Sequence, residues 1–288
     1  ITKEDTLLNI RHYNFDYQLP DVVGTHPKNY QNLPELPPNH YPAQEEPDFI
    51  RDKRLYHQEY GLETHLAYQE FSELEWRGYL NAYYRLTEMV DKEIGRLIAG
   101  LERNGLKENT IVVFTSDHGD GSAAHQWAAK LSLYEESSKV PFIVSYQNQI
   151  PAGVIDRQHL VSQIDILPTL CDYAGIELPE VTGKSIRSII EDPTAPWRDY
   201  LVVELADYKP DRSRKGRMLR TADFKYNIYT QGNHNEQFFD LTQDPGETNN
   251  LVGQSQYADE ITRHRELLQE WILETNDNFP IDLHPLVP

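Results

Sequence analysis

The sequence predicts an α/β portion in which helices flank a sheet, followed by a small C-terminal α+β subdomain with an antiparallel sheet. Three observations carry this prediction. A long amphipathic pattern leads through a short loop into the continuous apolar run TIVVFTS (110–116), and a second such run, VPFIVSY (140–146), follows a short polar stretch. Beyond DYLVVEL (199–205) the texture changes: GRMLRTADFKYNIYT and EQFFDLT are rich in aromatic and β-branched residues and are separated by TQGNHN, a hairpin signal. We therefore place the α/β portion at residues 1–198 and the small subdomain at 199–288, with no internal repeat.

Residues 1–50 read as an irregular leading loop. LPDVVGTHP and NLPELPPNHYPAQEEPDF hold its prolines, which remove backbone donors and fix φ, so the segment is expected to run extended over a surface. So long a structureless opening suggests that polypeptide upstream once held it. A long helix follows. Ser72 with Glu75 three residues on forms the capping-box pattern, and Trp76, Leu80, Tyr83, Val90, Ile94, Leu97 and Leu101 recur as one apolar stripe. Asn104-Gly105 ends it. TIVVFTS reads as a strand buried on both faces, so helix, loop and strand make half of an α/β crossover unit.

Four shorter helices complete the pattern. LSLYEESSK forms a short helix; Asp165 caps ILPTLCDYAG, with Pro168 in the first turn and Gly175 closing it. GKSIRSIIED forms another, and ADEITRHRELLQEWILET makes a terminal amphipathic helix. Cys171, the only cysteine, lies in the second of these as a buried residue, so neither an intrachain disulfide nor a thiolate zinc cluster can form.

The formal net charge of −19 makes a nucleic-acid backbone an unsuitable partner, although a few cations gathered in one cleft still suit a small anion. No stretch approaches the roughly 20 apolar residues of a membrane span.

The chemistry-bearing residues gather in TSDHGDGSAAHQWAAK (115–130). In open α/β sheets ligands bind beyond the carboxyl ends of strands, and Asp117 stands where TIVVFTS ends. Its carboxylate supplies a hard oxygen for a divalent cation, and His118 supplies a nitrogen or a polarised hydrogen bond. Gly119 and Gly121 let the chain turn sharply, and Lys130 offers a point charge for an oxyanion. On spacing alone a plainer reading stands beside this one: an ordinary turn in which Asp117 accepts from nearby amides, His125 on the surface, and Lys130 a solvated helix charge.

The stretch TSDHGDGSAAHQWAAKLSLYEESSKVPFIV resembles the sulfatases of the alkaline phosphatase superfamily, where Asp-His-Gly is followed by His and Lys at this spacing. YLNAYYRLTEMVDKEIGRLIAGLERNGLKENTIVVFTSDHG, IDILPTLCDYAGIELP and FFDLTQDPGETNNL extend the resemblance over about residues 72–275. It implies part of an alkaline-phosphatase-like sheet, and a sulfuric ester hydrolase acting on a sulfated sugar or glycan. It also implies Asp117 and His118 as calcium ligands, and Lys130 as the contact to the sulfate and its bridging oxygen. His125 would line the same pocket as substrate contact or proton donor. By the same resemblance a periplasmic, secreted or lysosomal-type compartment is expected. Phosphonate monoester hydrolases share the motif, so a phosphonate or phosphodiester hydrolase stays open, as does a degenerate binding module.

The family's nucleophile is a formylglycine made within a C/S-x-P-x-R motif, and none occurs in these 288 residues. Thr194-Ala-Pro196-Trp-Arg198 imitates it with Thr, in the wrong place, and reads as coincidence. The resemblance therefore suggests the C-terminal portion of a longer sulfatase. Its partner would be the N-terminal part of the same protein, carrying the formylglycine and the paired Asp ligands. The chain alone is expected to be inactive, and the neighbours of the missing strands to show an exposed edge or apolar face. Four further groups of residues are of interest. His234 reads as a solvent-exposed hairpin tip, and Arg217 and Arg220 either lean toward an anionic glycan or form strand-face salt bridges. Asp244, Glu247 and Asn249 in DPGETNN read as turn chemistry. His12, His26 and His40 lie where relatives shape specificity.

Overall fold

The computed structural model describes residues 33–42, 45–56, 71–128, 130–206 and 214–280. His12 and His26 lie outside the described residues. The elements are α1 (Asp48–Tyr56), α2 (Glu73–Arg103), β1 (Val112–Thr115), α3 (Glu135–Ser138), β2 (Phe142–Ser145), α4 (Ile166–Ala174), α5 (Arg187–Glu191), β3 (Leu201–Ala206), β4 (Lys215–Arg220), β5 (Phe224–Tyr229), β6 (Glu236–Asp240) and α6 (Ala258–Glu274). Among the described residues no helix is long and apolar enough to cross a membrane.

Helix α2 starts as its sequence demands. The Ser72 hydroxyl accepts from the Glu75 amide, and the Glu75 carboxylate accepts from the Ser72 amide at 2.7 Å. The helix stops at Asn104, with Gly105 in the left-handed region at φ +66°. Its first turns bury Trp76, Tyr79 and Leu80 against Ala123, Ala128, Leu36 and Phe71. Each large side chain withdrawn from water contributes about 1.5–3 kcal/mol. The stripe's second half behaves differently from the prediction: Tyr83, Val90 and Leu97 are exposed, Leu97 by 60 %.

The strand TIVVFTS is also not buried on both faces. β1 pairs antiparallel with β2, Val113 opposite Val144 and Phe114 opposite Ile143, and the pair forms a two-stranded sheet. Phe114 and Ile143 face water. A run of apolar residues records that a strand needs cover; the cover itself must come from other segments. The β1–β2 pairing is antiparallel, so no parallel return links these two strands.

The C-terminal sheet is an antiparallel meander in the order β3-β4-β5-β6. Neighbouring side chains on a strand point to opposite faces, and here both faces are covered. Leu219, Tyr226, Ile228 and Phe238 pack under α6 with Ile261, Leu268 and Ile272. Met218, Tyr229 and Phe239 pack on the other side against Phe49 and Ile50 of α1 and against Trp127, Leu133 and Tyr134. The sheet is thus the floor on which the 115–139 segment rests. Helix α1 lies within what the sequence presented as irregular loop and coil, and Phe49 stacks on Tyr229 with ring centroids 4.7 Å apart.

Helix α4 runs from Ile166 to Ala174 and closes on left-handed Gly175, as expected, but the Asp165 side chain does not cap it. The fully buried carboxylate instead accepts from the amides of Ser162 (2.8 Å) and Lys184 (2.9 Å) and from both guanidinium nitrogens of Arg198 at 2.5 Å. The Arg198 of the Thr194–Arg198 stretch is therefore a structural clamp. Cys171 is buried, as read.

Candidate active site

The 115–131 loop is shaped by close packing and by unusual backbone. A Cβ on Gly119 would stand 1.9 Å from the Glu136 carbonyl oxygen, and one on Gly121 would stand 2.5 Å from that of Trp127. Gly119 N–H donates to the Ser137 carbonyl at 2.9 Å, fastening the loop to α3. Ten described non-glycine residues have positive φ, and five of them, Ser122, Ala123, His125, Gln126 and Leu131, fall in this short loop. Such conformations cost about 1 kcal/mol or more each and gather where a fold holds functional groups in place.

Asp117 and His118 sit at the end of β1. The Asp117 side chain is 82 % exposed, and its Oδ2 lies 3.4 Å from His118 Nε2. His118 Nδ1 donates to the Gly119 carbonyl at 2.8 Å, so in the neutral ring Nε2 carries a lone pair. Two acceptors therefore face one another, an arrangement that a cation or a proton between them stabilises. Desolvation raises the Asp117 carboxyl, but His118, the local amides and the Ser116 hydroxyl outweigh it and hold it below the ordinary carboxylate value. Hard oxygen beside imidazole suits a divalent cation. The two are a partial set, because among the described residues no group of three or more His, Cys, Asp or Glu side chains converges as a metal cage.

His125 is not a surface residue. It is 1 % exposed, and its ring stacks on Tyr134 with centroids 3.8 Å apart and planes 9° from parallel. Lys130 is half-buried; its carbonyl accepts from Trp127 Nε1 at 3.1 Å, and among the described residues no carboxylate pairs with its ammonium. Asp117 and His118 thus adjoin directly, while no hydrogen bond or ion pair joins Lys130 to them. The loop and His125 lean on the same Tyr134–Ser137 turn.

Sequence reasoning passed over Tyr79, Asp120 and Asn39, and placed His40 among candidate specificity residues, whereas all four support this loop. Tyr79 donates to Asp120 Oδ1 at 2.6 Å, His40 Nδ1 donates to the Ala123 carbonyl at 2.7 Å, and Asn39 reaches Glu136 and His125. His40 is buried beside Trp76, which makes it a prop for the loop. The only signal for Asn39 was its place in a proline-rich stretch too polar to be core. Arg217 takes the salt-bridge alternative, with Asp277 at 2.7 Å and Glu204 at 3.2 Å. Arg220 lies 3.5 Å from Glu135. His234 is exposed on a hairpin tip tied to Asp48 through Asn233. Asp244 caps Thr248 and Asn249 as turn chemistry predicts, whereas Glu247 is buried against Lys225.

The mixed α/β layout with its antiparallel C-terminal subdomain is that of the alkaline-phosphatase-like hydrolases. The sulfatase family model matches residues 22–176, and the model for the N-sulphoglucosamine sulphohydrolase C-terminal region matches residues 123–274, each more than half of the chain. The chain belongs to the sulfatase family. It is 34 % identical over 218 residues to a Δ4,5-hexuronate-2-O-sulfatase of Bacteroides thetaiotaomicron, covering 73 % of this chain and 44 % of that protein. It is 32 % identical over 211 residues to an N-acetylglucosamine-6-O-sulfatase of the same organism, covering 72 % of this chain and 38 % of that one. The solved structure of a 2-O glycosaminoglycan sulfatase superposes with a TM-score of 0.75 at 31 % identity, over 88 % of this chain and 55 % of that chain. A phosphonate monoester hydrolase of Agrobacterium radiobacter, at 23 % identity and a TM-score of 0.62, covers 71 % of this chain and 43 % of that chain and shares the fold. The chain spans less than half the length of these two curated relatives.

Proposed function

We propose that the chain supplies one wall of a sulfuric ester hydrolase site acting on a sulfated sugar of a glycosaminoglycan-type glycan. Asp117 and His118 are the calcium ligands of this wall, Lys130 holds the sulfate and its bridging oxygen, and His125 lines the same pocket as substrate contact or proton donor. The observation that supports the reading most is the pair of acceptors, Asp117 Oδ2 and His118 Nε2, facing each other 3.4 Å apart beyond a strand end. A bound divalent cation would neutralise negative charge on the transferring group. The ammonium of Lys130, unpaired with any described carboxylate, adds a second positive charge where negative charge grows on the leaving oxygen. The two named relatives act on a 2-O-sulfated hexuronate and a 6-O-sulfated N-acetylglucosamine, which supports a sulfated sugar as substrate class.

The formylglycine motif of the family is absent from these 288 residues, so in this reading the nucleophile comes from polypeptide outside them. The test measures sulfate release by the whole protein from 2-O-sulfated Δ4,5-hexuronate and 6-O-sulfated N-acetylglucosamine. Lys130→Ala is expected to lower turnover by about 100-fold or more, and Asp117→Ala to abolish calcium binding in calorimetry. Unchanged turnover in Lys130→Ala, or release from matched phosphonates but not sulfates, overturns the reading.

A further inference from the structure

Three stretches of chain far apart in sequence meet on one side-chain nitrogen. Asn39 Nδ2 donates to Glu136 Oε1 at 2.8 Å and to the Gly246 carbonyl at 3.0 Å, and lies 3.4 Å from His125 Nε2. The backbone repeats the link, because His125 N–H donates to the Asn39 carbonyl at 2.7 Å. Turning the amide over would aim its oxygen at two acceptor oxygens, so Nδ2 is the atom at the junction. The two amide hydrogens are directed mainly at Glu136 and Gly246; toward His125 Nε2 the nitrogen can share one of them weakly, but it offers no acceptor for a ring proton. His125 Nε2 is therefore the nitrogen without a proton, and in the neutral ring the proton sits on Nδ1. Stacking on Tyr134 holds the ring plane in register with this contact.

We propose that Asn39 is a positioning residue for His125, selecting the Nδ1–H tautomer and the ring's orientation, and that the Gly246 carbonyl holds Asn39 in place. This rests on the reading of His125 as a pocket residue and narrows its role: any hydrogen bond the neutral ring donates leaves from Nδ1. The turn between β6 and α6 thereby acts on the site from the C-terminal subdomain. Glycine at 246 permits the approach, since a Cβ there would stand 3.1 Å from Asn39 Cβ and 3.5 Å from its amide nitrogen.

The experiment uses the whole protein with selectively 15N-labelled histidine, the His125 ring nitrogens being assigned by loss of their signals in His125→Gln. The expected result is a protonated Nδ1 and an unprotonated Nε2. Asn39→Asp replaces the donor by an acceptor of the same shape and is expected to move the proton to Nε2. Gly246→Ala displaces Asn39 without altering any group that touches the ring. It is expected to give mixed tautomers and a fall of about tenfold in kcat, with KM within about twofold, because small misplacements near the chemistry are costly. A proton on Nε2 in the parent protein overturns the proposal, as do unchanged ring shifts in folded Asn39→Asp or parental kcat in Gly246→Ala. A parent that releases no sulfate overturns the sulfatase reading alone, and the ring shifts still decide the tautomer.

Discussion

Lys225 Nζ and Glu247 Oε1 lie 2.7 Å apart, with side chains 0 % and 1 % exposed. The same ammonium donates to the Leu133 carbonyl at 2.9 Å and lies 3.0 Å from Glu135 Oε1, while Glu247 Oε2 accepts from the Glu135 amide at 2.6 Å. Strand β5 and the turn after β6 are thus bound to the first residues of α3, on which the 115–131 loop leans. Burial pushes the Glu247 carboxyl up to about 7, against the pull of the Lys225 ammonium and the Glu135 amide.

That raised value sets a pH dependence. Between an ordinary glutamate's 4.5 and about 7 the folded chain holds a proton that the unfolded chain has released. The contribution of this group is therefore full below pH 4.5 and is lost as pH rises through 7; over the whole window it is on the order of 3 kcal/mol. The stability advantage of the parent over Glu247→Gln should shrink between pH 5 and pH 8 in thermal melts. An advantage that stays flat or grows across that range refutes the assignment.

Removing the ammonium alone leaves the buried Glu247 carboxyl beside the part-buried Glu135 carboxylate with no cation between them. Lys225→Met should cost about 3–5 kcal/mol, and Lys225→Met combined with Glu247→Leu should recover part of the loss. Urea midpoints at constant m-value read both. A double variant no better than the single one would mean that the ion pair is not the source of the loss.

Arg198 presents a planar fork to Asp165, and lysine cannot reproduce it. Arg198→Lys should lower stability by about 2 kcal/mol or more, since a fully buried carboxylate loses one of two charged bonds. Differential scanning calorimetry measures this, and a melting temperature within a degree of the parent's would contradict it.

Gly119→Ala tests the loop without touching a candidate ligand. Its Cβ would collide with the Glu136 backbone, which cannot yield as a flexible side chain does. The loop should detach from α3, seen as faster hydrogen exchange at the Gly119 amide, while the β3–β6 sheet keeps its protection. Parental exchange at that amide would show that the loop absorbs the methyl group.

Much of this architecture was legible in local chemistry. Ser72 and Glu75 announce the start of α2 because a capping box is satisfied within four residues, and Gly105 and Gly175 announce helix ends for an equally local reason. Asp117, His118 and Lys130 stood out because their types fit cation and anion chemistry, whereas His125 entered only through the family resemblance. Asn39 did not, because its partners lie 86, 97 and 207 positions away and only the folded chain brings them together. Asp165 shows the same limit: its sequence position suits a helix cap, yet Arg198, 33 residues on, competes for the carboxylate with a full charge. Ser122, Ala123, His125 and Gln126 stand in left-handed backbone without the glycines that would announce it in the sequence.

The bare half of α2 governs how this chain behaves as a material. Tyr83 to Leu97 presents an exposed apolar line about 21 Å long along the helix. Exposed apolar surface of this extent is what hydrophobic dyes and self-association use, so the polypeptide by itself is expected to brighten such dyes and to associate as it is concentrated. The formal net charge of −19 opposes that association, so added salt, which screens it, should promote it.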